Sequence, residues 1–132
     1  MLISSRRYKH DIKPMAKTSE ALFGLKPASF RYNKEYDATQ TLAFGLIAEE
    51  VAEVYPDLVG RNAKGQPESV RYDQINAMLL NEFLKEHSTV QAQQREIDVL
   101  RAELREQRAL IQKVNDKVEL RKAAPRTVAN DQ

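Results

Sequence analysis

The chain has 132 residues, of which 42% are hydrophobic and 30% charged, with a net charge of +2 and no cysteine. That length holds one compact domain plus something extended. The missing cysteines exclude disulfides and thiolate metal sites, the small net charge and lack of a long basic run argue against a nucleic-acid binder, and no apolar run reaches the ~20 residues of a membrane span.

The first stretch of interest is SSRRYKHDI, Ser4 to Ile12. It turns charged too early to be the apolar core of a signal peptide. It also sets a serine and a lysine five positions apart with two arginines between them. A solvated basic segment is one reading. A nucleophile and its base is the other: serine needs a group to remove its proton, and a lysine does this when burial lowers its pKa toward neutrality. Ser–Lys pairs are a known variant of that arrangement. Spacing alone does not choose between these readings; Ser5 is a rival nucleophile on chemistry alone, but the five-residue register to Lys9 favours Ser4. Arg6 and Arg7 read as solvated, with bracing of an oxyanion or pairing with Glu49 and Glu50 of another chain as alternatives. His10 reads as a surface residue.

Next, TSEALFGL reads as a short helix, with Thr18 or Ser19 capping its first turn and Gly24 near its end. ASFRY alternates like a half-buried strand, and TLAFGLI reads as a more fully buried one. In AEEVAEVYPDL, Val51, Val54 and Tyr55 share a helical face and Pro56 ends the helix. LVGRNAKGQPESVRY reads as a hairpin: Leu58 and Val59 on one arm, a turn at Lys64-Gly65, then Val70 and Tyr72. Phe30, Tyr32, Phe44 and Tyr72 are expected in the core, and Gly60 and Gly65 are turn residues, not a phosphate loop.

From Asp73 to Lys122 there is neither glycine nor proline, whereas four of the five prolines precede this stretch. Counting in sevens from Phe83, every stop is apolar: Phe83, Val90, Ile97, Leu104, Ile111 and Val118. The position three residues later is mixed, with Glu86, Gln93, Leu100, Gln107, Val114 and Arg121. A strict seven with a narrow stripe is a coiled-coil seam, because a lone 3.6-period stripe drifts off a strict seven. A single helix of roughly 75 Å, at ~1.5 Å per residue, cannot hide these side chains from water. Glu96 with Arg101 and Glu103 with Arg108 sit where g and e residues of parallel neighbours meet. Glutamines in the seam and β-branched residues at four of six a positions favour three strands, with a dimer as the alternative. The closing KAAPRTVANDQ carries Pro125 as a helix stop and a polar, disordered tail. The division expected is a head over residues 1–72, a coiled-coil helix over 73–122 and a tail over 123–132, in the α+β class. His10 and His87 lie far apart with no clustered carboxylates, so no metal site or cofactor is expected.

Taken together, SSRRYKHDI, LKPASFRY, FGLIAEEVAEVYPDLV and SVRYDQINAMLLNEFLKE resemble, in order and spacing, the intramolecular chaperone domain of endosialidases and phage tail fibres, the peptidase S74 family. The resemblance covers about Ser4 to Glu86. It implies a C-terminal chaperone that trimerises an upstream fibre or tailspike domain of the same polypeptide and then cuts itself off. Ser4 would be the nucleophile, Lys9 its general base and Ile3–Ser4 the scissile bond. It also implies a tail-fibre precursor located in the virion or, during assembly, in the bacterial cytoplasm. Only Met1-Leu2-Ile3 precede the serine, so the expectation is that either the chain is a fragment of a longer fibre or it has almost nothing to release. Two positions depart from the family pattern: Ser5 stands where Asp is common, and Glu49 where Gln is. The alternatives are a trimerisation and fibre-capping module that has lost the cut, and a coiled-coil partner of an unrelated protein.

Overall fold

The computed structural model describes residues 2–124. These divide into two compact units with the boundary between Glu86 and His87. The stop at Pro125 and the polar stretch after it lie outside the described residues.

The first unit is mixed. It opens with a single 3-10 turn at Arg6–Tyr8 and a 3-10 helix at Ala16–Gly24. Two short strands follow, β1 at Ala28–Phe30 and β2 at Ala43–Gly45, then helix α1 at Ala48–Val54. A 3-10 turn at Pro56–Leu58 leads into β3, Val59–Arg61, and β4, Pro67–Val70. Helix α2 spans Tyr72–Ala123, and its residues up to Glu86 belong to this unit. The strands make two separate antiparallel ribbons, β1–β2 and β3–β4.

Local chemistry explains the hairpin. Asn62 Oδ1 accepts from the backbone of Lys64 and Gln66, each at 3.0 Å, and its carbonyl accepts from Gly65 N at 2.9 Å. Gly65 has φ +79°, which a side chain disfavours. The register slips between Gly60 and Arg61, and Pro67, which has no N–H for the ladder, sits at the first position of β4.

The core is small: Val51, Leu58, Val59, Ile75 and Met78, with Val51 and Leu58 each only 1% exposed. Ile75 and Met78 are three apart, so they lie on one face of α2. Leu22, Leu25, Leu46, Tyr55 and Val70 pack around the five. Pro56 ends α1 as expected and starts the turn that drops Leu58 into the core.

Several local expectations are corrected. The run containing β2 is not a fully buried strand: Phe44 is 77% exposed, since a two-stranded ribbon covers one face only. Phe44, Tyr32 and Tyr72 lie outside the core, and Val54 is exposed. Tyr72 opens α2 instead of closing the hairpin. Its hydroxyl oxygen accepts from Leu46 N at 2.9 Å, and a Cβ on Gly45 would stand 2.7 Å from that oxygen, so the close approach requires glycine. Ser19 is no cap. The helix begins at Ala16 without a side-chain cap, and Ser19 is fully buried.

The second unit is the remainder of α2. Every described residue from His87 to Ala124 is exposed. The residues of the expected seam, Phe83, Val90, Ile97, Leu104, Ile111 and Val118, are between 42% and 66% exposed in the single chain.

Candidate functional site around Ser4 and Lys9

Five residues of extended chain span about 17 Å at ~3.4 Å each. The 3-10 turn at Arg6–Tyr8 folds that span back on itself through two backbone bonds, Tyr8 N to Ser5 O at 3.1 Å and Lys9 N to Arg6 O at 3.0 Å. The result is a direct hydrogen bond: Lys9 Nζ donates to Ser4 Oγ at 2.9 Å. Among the described residues no hydrogen bond reaches the Ser5 hydroxyl. The turn therefore brings Lys9 to Ser4, the serine that the five-residue register favours.

The surroundings are cationic and open. Ile3, Ser4, Arg6, Arg7 and Lys9 are all exposed. Arg7 lies over the Tyr8 ring with its guanidinium 4.8 Å from the centroid, a cation–π contact. His10 Nε2 stands 3.8 Å from Asp11 Oδ2, both highly exposed, and does not reach the serine. Within the single chain Arg6 and Arg7 do not pair with Glu49 or Glu50. Chemically, a hydroxyl and an amine at 2.9 Å are placed for proton transfer in either direction. The carbonyl of Ile3 immediately precedes Ser4 in the chain, and such tethering raises the effective concentration of a group toward a neighbouring hydroxyl.

A second polar cluster was not legible in the sequence. The buried Ser19 hydroxyl donates to Glu82 Oε1 and accepts from Asn81 Nδ2 at 2.7 Å, and Asn81 also donates to the Ala16 carbonyl at 3.1 Å. Lys85 Nζ completes it, 2.8 Å from Glu82 Oε1 and 3.8 Å from Glu20. The Lys85 hydrogen bond, and then that of Ser19, hold the Glu82 carboxyl below its ordinary value of 4.5. The partners are 62 and 63 positions from Ser19, so no local pattern announces them. This cluster joins the 3-10 helix, and hence the root of the Ser4–Lys9 segment, to α2.

An apolar cavity of about 550 Å³ lies between Leu22, Leu25, Pro27, Phe44, Tyr72 and Leu79. No acid, base or thiol lines it, so it offers shape and not chemistry. Among the described residues no group of three or more His, Asp or Glu side chains could hold a metal ion, and no helix is long and apolar enough to cross a membrane.

Residues 4–60 match the family model Peptidase_S74, chaperone of endosialidase, which supports the family read from the four motifs. A comparison with curated proteins finds no match.

Proposed function

We propose, from the premise that residues 4–60 are those of a peptidase S74 domain, that the chain acts as an autoproteolytic assembly chaperone for an upstream fibre or tailspike domain. The family match supports the intramolecular chaperone role and association with such a domain. The cut rests on one observation, the 2.9 Å contact between Ser4 Oγ and Lys9 Nζ.

In this reading α2 winds with two other copies through Phe83, Val90, Ile97, Leu104, Ile111 and Val118, giving a parallel homotrimer. Their exposure in the single chain supports this, because six apolar side chains on one stripe are left facing water. Lys9 Nζ, as general base, then takes the Ser4 hydroxyl proton as Oγ attacks the Ile3 carbonyl carbon. The tetrahedral centre collapses with cleavage of its bond to the Ser4 nitrogen, which takes up a proton. Ile3 is left as an ester on Ser4 Oγ. Water attacks that ester and releases the upstream chain with a new carboxylate, while Ser4 keeps a free amine and its hydroxyl. Departure of the chaperone makes trimer assembly kinetically irreversible.

The test is a denaturing gel of the chain expressed with its upstream fibre segment. The wild type should give two bands, and Ser4→Ala and Lys9→Ala one each. A wild type that stays whole yet trimeric by light scattering identifies a non-catalytic fibre-capping module. Undiminished cleavage in Ser4→Ala removes the dyad.

A further inference from the structure

Every side chain from Leu2 to Pro14 is exposed. Among the described residues the polar contacts of this segment are internal to it: Lys9 to Ser4, His10 to Asp11, Arg7 on Tyr8, and the two bonds of its turn. It carries Arg6, Arg7, Lys9 and Lys13 against the single carboxylate of Asp11. It also leaves Leu2, Ile3, Tyr8 and Ile12 in water. A segment that is both apolar and cationic, with nothing beneath it, lacks a surface to rest on.

The first unit also presents an acidic row without partners. Glu49, Glu50 and Glu53 are exposed on α1, and among the described residues none of their carboxylates makes a hydrogen bond or ion pair. At 100° per residue the three fall within one sector of about 100°, opposite the buried Val51. Like charges at these spacings disfavour a helix. The helix dipole accounts for Glu49 and Glu50 in the first turn but opposes Glu53 in the last. Something cationic is needed to relieve the row.

We infer that the basic segment of one copy, through Arg6, Arg7 and Lys13, docks on the Glu49–Glu50–Glu53 face of α1 in a second copy. This rests on the self-association proposed above, which brings several heads together. The two surfaces match in charge, and the guanidinium groups suit two-point pairing with carboxylates. Docking takes Tyr8 and Ile12 out of water and covers the adjacent Ser4–Lys9 pair, the condition under which a lysine becomes a base.

The absence of native cysteine makes a clean experiment possible. Chains carrying only Arg7→Cys are mixed with chains carrying only Glu50→Cys, assembled and mildly oxidised. Val90→Cys chains report in parallel whether the helices associate. The expected result is a disulfide-linked heterodimer, at least fivefold above an Arg7→Cys plus Glu68→Cys control. Its yield should fall three- to tenfold between low and high salt, and likewise when Glu49→Lys and Glu53→Lys are added. Yields equal to the control while Val90→Cys still cross-links overturn the docking and leave the association standing. Loss of both cross-links overturns both. A chain carrying Arg7→Cys and Glu50→Cys together that closes on itself as a monomer places the contact within one copy and also overturns the inference.

Discussion

At the scale of single residues, two short-range geometries carry most of the chemistry. The Ser4–Lys9 contact exists because a one-turn reversal returns the lysine to the serine. The Ser19 cluster exists because a hydroxyl with both donor and acceptor roles filled can be buried without penalty, whereas an unmatched one costs about 1–3 kcal/mol. Glu82 supplies a pH dependence. Its carboxyl is held below 4.5, first by Lys85 and then by Ser19, so its contribution is complete above that value and fades as the pH falls through the lower folded value. Urea titrations of the wild type and of Glu82→Gln, from pH 7 down to 3, should therefore diverge at neutral pH and converge in acid. Parallel curves would assign Glu82 no electrostatic part in folding.

At the scale of elements, the strands and α1 are too short to stand alone, and each depends on a few shared core residues. Leu58 is the clearest case: it follows Pro56 at the end of a 3-10 turn, is 1% exposed and meets Val51, Ile75 and Met78 in one cluster. Leu58→Ala should cost about 2–5 kcal/mol, the range for a large-to-small change with incomplete relaxation. That is a large part of the stability of a small domain. The check is a urea midpoint shifted downward with an unchanged slope. The hairpin, its Gly65 turn, α1 and the start of α2 were all legible to within a residue or two, because each has its own local chemistry. The burial of β2 and the role of Ser19 were not. An apolar run reads the same whether one face or two are covered, and a serine beside a threonine reads as a cap until its distant partner is known.

At the scale of the whole molecule, the proposed assembly turns on the seam. In the single chain its apolar side chains are exposed to water, and helices in proteins are stabilised mainly by packing such an apolar face. Replacing Ile97 and Ile111 together with Asp should reduce the sedimenting species to a single 15.1 kDa chain at micromolar concentration and lower the helix content. An assembly that survives the double change would locate the association elsewhere. The same change should abolish the proposed cut before Ser4 if the neighbouring copy is what covers Lys9.

What the sequence by itself determined was everything with a short repeat or a local rule: the sevenfold stripe, the long uninterrupted helix, the turn at Lys64-Gly65 and the candidate serine and lysine. Those signals lie within a few positions of one another, so they survive without a fold. Only the tertiary structure decided that Ser19 faces Glu82 and Asn81 and that Phe44 stands in water. Each of those depends on how the backbone turns or on which distant element packs alongside, and one-dimensional spacing does not encode it.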